Sequence, residues 1–235
     1  MSVLTFFGRG SAFTDEQNSA YFWHGNDLVI IDCPTVAFRK AKKVMADKKA
    51  ENIYILITHT HGDHSGAVGT MLSYVWFVLN RQATIIAPSR EVMEDLLTYL
   101  LRMEGCEPEW FRIMTADDLH AEWLVSAVPT SHVRTLDGKC FGYHLNIDGH
   151  DTIYTGDTAT LEPYIPLLHD GAYLYSEISV HKSDAHLYME TVLPVLLDLA
   201  GKGIRVYLMH LDNEEEIMHR IQGTSLRIAP LYPNK

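Results

Sequence analysis

The densest chemistry in this 235-residue sequence is Thr58-His59-Thr60-His61-Gly62-Asp63-His64, which follows directly on the apolar run Ile53–Ile57. Three imidazoles and a carboxylate within six residues form a ligand set for a divalent ion. Zinc suits it best, and iron or manganese is also compatible. On a strand or an extended turn, residues two apart point the same way, so His59 and His61 can chelate one ion together. Gly62 is expected to permit a tight turn that re-aims Asp63 and His64 at a second ion beside the first. Solvated or core-satisfied histidines are the plainer reading, but four ligand types packed this closely argue against it.

Such groups need a rigid scaffold, and the apolar pattern predicts one. Strands are expected at Val3–Gly8, Ala20–Trp23, Leu28–Ile31, Ile53–Ile57 and Thr84–Ala87. Helices are expected over Val36–Lys49, Gly66–Leu79 and Ser89–Met103, the last capped by Ser89. In the second half, strands are predicted at Trp123–Val128, Cys140–Ile147, Thr152–Tyr154, Tyr173–Ile178 and Ile204–Met209. Asp148-Gly149 reads as a hairpin turn, and Leu187–Ala200 as a helix that carries Pro194. Interleaved strands and helices place the chain in the α/β (α+β) class with layered sheets. No repeat or linker divides it, so residues 1–235 are expected to form one domain. Four strands end on a polar or imidazole residue, as expected where several loops aim at one point.

Composition narrows the partners. Aspartate and glutamate number 30 against 19 lysines and arginines, a formal charge of −11. An acidic body repels polyanions, so a general nucleic-acid binder is disfavoured; a small anion remains possible where bound cations reverse the local field. The basic residues Arg39, Lys40, Lys42, Lys43, Lys48 and Lys49 read as the wet face of a helix rather than a phosphate-steering patch. Cys33, Cys106 and Cys140 are odd in number and far apart, which fits a reducing cytosol. Met1–Gly10 has no unbroken apolar stretch of the kind an export signal needs, and no run of ~20 apolar residues could span a membrane. A cytoplasmic protein is expected.

His59, His61, Asp63 and His64 spell HxHxDH, and three further residues follow in order after predicted strands: His132, Asp157 in Tyr154-Thr-Gly-Asp-Thr, and His210 in Leu208-Met-His-Leu. This set resembles the signature of the metallo-β-lactamase superfamily, over nearly the whole chain from Phe7-Gly8 to Asp212. The resemblance implies a four-layer αββα sandwich. It also implies one metal ion on His59, His61 and His132, a second on Asp63, His64 and His210, and Asp157 bridging them. Asp32 either supports the ligands from behind or caps the following helix. Two ions ~3.5–4 Å apart acidify a shared water and stabilise charge on the attacked centre. A complete set of seven implies a dinuclear hydrolase rather than a non-catalytic or one-iron member.

The strand ending at Glu177 is followed nine residues later by His186, near the start of a predicted helix. This pair resembles the Glu…His pair of the ribonuclease Z branch, in which the histidine protonates the leaving alkoxide. Asp63, Glu177 and His186 are thus the candidate catalytic residues, with His181 a nearby competitor for the proton-donor role. Ribonuclease Z enzymes carry a long RNA-gripping arm between the equivalents of His132 and Asp157; here only 24 residues lie between them. The compact form, with Phe6-Phe7-Gly8 and Asn18-Ser19, is similar to the phage and bacterial anti-Pycsar phosphodiesterases, which open 3′,5′-cyclic nucleotides used as antiviral signals. That likeness implies a small cyclic-nucleotide substrate, and the resemblance to the ribonuclease Z branch implies a homodimer. A transfer-RNA 3′-processing endonuclease and an acyl hydrolase (lactonase, thioesterase or β-lactamase) stand as alternatives. Tyr21, Trp76, Trp110 and Tyr143 could stack on a base by type, with core packing the default. Met103–Leu119 is either a contact between subunits or an internal cover.

Overall fold

The computed structural model describes residues Ser2–Pro233. Its first sheet runs in sequence order through β1 (Thr5–Gly8), β2 (Ser19–His24), β3 (Asp27–Ile31), β4 (Ile53–Leu56), β5 (Ala83–Ala87) and β6 (Phe111–Thr115). The second holds β7 (Leu124–Pro129), β8 (Phe141–Ile147), β9 (His150–Tyr154), β10 (Tyr173–Glu177), β11 (Arg205–Met209) and β12 (Arg227–Ile228). The helices are α1 (Thr35–Asp47), α2 (Gly62–Ser65), α3 (Val68–Phe77), α4 (Arg90–Thr98), α5 (Met189–Gly201) and α6 (Glu214–Arg220). Among the described residues, no helix is long and apolar enough to cross a membrane.

Strand periodicity explains the layering. On β3, Leu28 and Ile30 face a core shared with α1, α3 and α4, whereas Val29 and Ile31 face a core between the two sheets. On β10 and β11, Tyr173, Tyr175, Tyr207 and Met209 enter that central core, while Leu174, Val206 and Leu208 pack against α5 and α6. Central strands buried on both faces read as continuous apolar runs, and three apolar layers between four structural ones make the αββα sandwich.

β3, β4, β5 and β6 are parallel, as are β9, β10, β11 and β12. Parallel strands release all their C-terminal ends at one edge, the usual place for a site in such sheets. Asp32 follows β3, Thr58 and His59 follow β4, Asp157 follows β9, Glu177 ends β10 and His210 follows β11. Antiparallel pairing brings the β7–β8 loop, with His132, to the same edge, since Pro129 faces Phe141. There the Phe141 N–H donates to the Thr58 carbonyl (3.1 Å) and ties one sheet to the other.

Several elements differ from the sequence reading. The turn expected at Gly62 takes the form of the one-turn helix α2, which Gly62 opens without a positive φ and which itself carries Asp63 and His64 ahead of α3. Ser89 caps α4 as expected, its side chain accepting from Val92 N–H, but the helix ends at Thr98 and widens into a π turn over Tyr99–Met103. Within Met103–Leu119 lies β6, parallel to β5 with Phe111 buried, so this part of the segment completes a sheet. The acidic residues on either side of β6 masked the strand signal. α6 and the two-residue β12 also escaped notice, being too short for periodicity to register. The Asp148-Gly149 hairpin is as expected, with φ of 51° and 81° at the two turn residues. Lys40 is not on a wet face: it is buried and donates to the Phe7 carbonyl (2.6 Å) and to Glu16 (2.7 Å).

Candidate metal centre

All seven residues singled out as ligands meet at this edge. Four overlapping clusters of ligand-type atoms form: one from His59, His61 and His132, one from Asp63, His64, Asp157 and His210, and two that add His186, with His132 and Asp157 and with Glu177 and His210. In the first, His61 Nδ1 lies 3.0 Å from His59 Nε2 and 3.3 Å from His132 Nε2. In the second, His64 Nε2 lies 3.3 Å from both Asp63 Oδ2 and Asp157 Oδ1. His210 Nε2 lies 3.5 Å from Asp63 Oδ2 and 3.3 Å from Asp157 Oδ2. Asp157 stands between the groups, since its Oδ2 is also 3.9 Å from His59 Nε2 and 3.8 Å from His132 Nε2.

Backbone geometry aims these side chains. Gly156 holds φ of 61°, and a Cβ there would meet the Phe141 carbonyl oxygen at 2.5 Å, so only glycine turns the chain into Asp157. Asp32 and His210 are non-glycine residues in the left-handed region, with φ of 60° and 52°. Such conformations persist where surroundings over-determine them. Here Ser19 Oγ donates to the Asp32 carbonyl (2.7 Å), and Asn18 Oδ1 accepts from His210 N–H (3.4 Å) while its amide donates to Tyr154 (2.7 Å).

The donor set fits divalent ions. His64 Nε2, Asp157 Oδ1 and His210 Nε2 are buried and make no hydrogen bond. Orphaned polar atoms in an interior are costly, whereas cation ligands are meant to keep their lone pairs free. The opposite ring nitrogens are engaged: His132 Nδ1 with the Ala185 carbonyl (2.8 Å), His64 Nδ1 with Asp32 (2.8 Å) and His59 Nδ1 with Thr58 Oγ1 (3.1 Å). Burial holds His59, His61 and His132 below the ordinary imidazole range, which keeps them neutral and able to ligate. Burial would also lower His64, but the Asp157 and Asp32 carboxylates reverse this and hold it well above that range.

Asp32 supports the ligands rather than capping α1, whose first turn has no side-chain cap. The fully buried carboxylate accepts from Thr58 N–H (2.8 Å), Thr58 Oγ1 (2.9 Å) and the His64 ring. Asparagine tolerates the same backbone conformation but cannot match a carboxylate's acceptor capacity. Asp32→Asn should therefore weaken metal affinity by about 10- to 100-fold, as read by competition with a chelator. An unchanged affinity would count against this role.

Glu177 and His186 also come together. Glu177 is fully buried, its Oε1 accepting from Thr158 N–H and its Oε2 lying 2.7 Å from His186 Nδ1. His186 precedes α5 instead of opening it, and the residues just after it fold back on Ser179, whose N–H donates to the Leu187 carbonyl (2.9 Å) and whose carbonyl accepts from Met189 N–H (2.8 Å). Its ring lies 4.8 Å from that of His132 and 5.3 Å from that of His210, centroid to centroid. Burial would lower its pKa, but the Glu177 carboxylate raises it to about 9. His181 is exposed, and its backbone N–H rather than its ring is held, by Ser179 Oγ (3.0 Å). Sequence reasoning missed Thr58 and Asn18 as supports; only their adjacency to His59 and to Ser19 at the start of β2 hinted at it.

The aromatic candidates do not border the cluster. Tyr21 is buried against Phe7 (4.6 Å between centroids), and Tyr143 is buried with its hydroxyl on the Ile57 carbonyl (2.8 Å). Trp110 packs edge-on against Phe77 (5.0 Å), and Trp76 is half-buried on α3.

A family model described as Anti-Pycsar protein Apyc1 matches residues 2–227. The chain is 29% identical over 237 positions to the anti-Pycsar protein Apyc1 of Bacillus phage 010DV004, covering 91% of this chain and 90% of that protein. Its fold is similar to that of the metallo-β-lactamase fold protein YhfI from Bacillus subtilis, with a TM-score of 0.74, 16% identity, and coverage of 97% of this chain and 95% of that one. It is also similar to human tRNase Z, short form, with a TM-score of 0.66, 16% identity, and coverage of 98% and 97%.

Proposed function

Because the chain belongs to the anti-Pycsar protein Apyc1 family, we propose that it is a metal-dependent phosphodiesterase that opens 3′,5′-cyclic nucleotides. The observation that carries the reading is the pair of buried Glu177 and half-buried His186 at the edge of the ligand cluster. Acyl transfer makes less demand for such a donor than expulsion of an alkoxide from phosphorus.

His59, His61 and His132 would hold one divalent ion, Asp63, His64 and His210 the other, with Asp157 between. Two such ions, with zinc favoured by the ligand chemistry, would supply an acidified water and positive charge for the phosphate. The chain's own contribution is to fix geometry and move one proton. His186 Nδ1 faces Glu177, which leaves Nε2–H for the substrate. As the water oxygen bonds to phosphorus and the P–O bond to the ribose breaks, that proton passes to the departing oxygen. The product is a nucleotide monoester, and His186 recovers its proton from solvent. Glu177 keeps the ring in one tautomer and stabilises its cationic form.

The formal charge of −11 suits a small substrate over a polynucleotide, which would meet repulsion outside the site. We take residues 1–235 as one domain, since both sheets contribute ligands. A cytoplasmic homodimer completes the proposal: Phe77, Val78 and Met103 leave large apolar side chains in solvent, as a subunit contact needs. Purified, metal-analysed protein should turn over 3′,5′-cyclic mononucleotides in a panel with cyclic dinucleotides, precursor transfer RNA, a thioester and a lactone. Turnover confined to the acyl compounds, or to the transfer RNA, overturns the assignment.

A further inference from the structure

We propose that Phe13 is the nucleobase-stacking residue of this site, an inference that rests on the cyclic-nucleotide reading above. Phe13 is wholly exposed, an unusual position for the largest purely apolar side chain type. Its loop, between β1 and β2, is nevertheless tightly held. Gly10 N–H donates to the Glu16 carbonyl (2.7 Å), and Thr14 donates to the Ser11 carbonyl through both its N–H (3.1 Å) and its hydroxyl (2.8 Å), closing a turn around Ala12-Phe13. Ser11 N–H donates to the Leu211 carbonyl (2.9 Å) and Leu211 N–H to the Arg9 carbonyl (2.8 Å). These bonds fasten the loop to the residue that follows His210.

The turn stands over a cavity of about 190 Å³ lined by Ser11, Ala12, Phe13, Ser179, His186 and His210, among others. That volume lies below the roughly 300–1,000 Å³ of pockets that enclose a drug-sized molecule, so it accepts one flat group of a larger ligand. Displacement at phosphorus is in line: the attacking oxygen enters opposite the oxygen that leaves. The leaving oxygen of a cyclic nucleotide stays bonded to the ribose, and the ribose carries the base. The base therefore belongs on the His186 side, where Phe13 stands. The other cavity at this edge, about 300 Å³ and lined by Thr60, Gly62, Ser65 and Tyr99 among others, has no histidine in its lining. An aromatic face without a polar handle stacks on purines and pyrimidines alike, so Phe13 gives affinity with little base selectivity.

The test is steady-state kinetics of the metal-loaded enzyme on 3′,5′-cyclic AMP, 3′,5′-cyclic CMP and the abasic 1-O-methylribose 3′,5′-cyclic phosphate. Phe13→Ala should raise KM for both nucleotides by about 5- to 100-fold with kcat nearly kept, leave the abasic compound unaffected, and be rescued by Phe13→Trp. Unchanged KM for the nucleotides overturns the proposal. An equal loss on the abasic compound does so too, since it marks a loop or subunit-assembly defect, which sedimentation of the variant would register. If wild-type protein cleaves the abasic ring but neither nucleotide, the stacking proposal fails while phosphodiester chemistry stands. If it cleaves none of the three, the cyclic-phosphodiester reading fails first and takes this one with it.

Discussion

His186→Ala is expected to lower kcat on a 3′,5′-cyclic nucleotide by about 10²–10⁴-fold, with a far smaller loss on bis(p-nitrophenyl) phosphate. The difference comes from the leaving group. A ribose alkoxide is a strong base that leaves slowly unless a proton arrives with bond cleavage, whereas a nitrophenolate departs as the anion. His186 lies 2.7 Å from Glu177 and outside the seven residues assigned to the two ions, and its side chain keeps enough exposure (27%) to meet a substrate. KM should change little, because the proton transfer belongs to the transition state. Glu177→Gln should share the pattern at reduced size, since glutamine can still accept from the ring but no longer stabilises its cation. Equal losses on both substrates in His186→Ala would show that the ring serves the metal cluster instead, and the proton-donor role would fall.

Asp157→Ala should abolish turnover, by about 10³-fold or more, together with the loss of at least one metal ion per chain in elemental analysis. Metal charge facing the phosphate and an acidified water would together contribute several kcal/mol of transition-state stabilisation, and each 1.4 kcal/mol is tenfold in rate. Asp157 is 2% exposed and lies within 3.9 Å of ring nitrogens in both groups, so no neighbouring carboxylate can substitute for it across both. The wild-type protein should behave alike under a strong chelator and recover on adding zinc or manganese, whereas Asp157→Ala should not recover. A variant that keeps two ions per chain would remove the bridging assignment.

Much of this site is legible in the residues themselves. Imidazoles and carboxylates are rare in apolar strands, so His59, His61, Asp63, His64, His132, Asp157 and His210 stand out by type and by their place after apolar runs. The layering was legible for the same reason, since strands buried on both faces leave uninterrupted apolar stretches. β6 was hidden because an edge strand buries only part of its surface, and its flanking charges dilute the pattern.

Partnership is what only the tertiary structure decided. Asp32 could cap α1 or brace His64, and the choice depends on a contact with Thr58, which is 26 positions further along the chain and lies against its carboxylate. Both His181 and His186 lie near Glu177 in sequence, yet only the loop pinned to Ser179 turns one ring onto the buried acid. Phe13 looked like any apolar residue until the β1–β2 loop was fastened beside His210. Residue type and local spacing determine which groups can hold a cation, because that capacity is intrinsic to the side chain. Which group faces which across the sheet edge is a property of packing, since it depends on contacts between distant segments that no local pattern encodes.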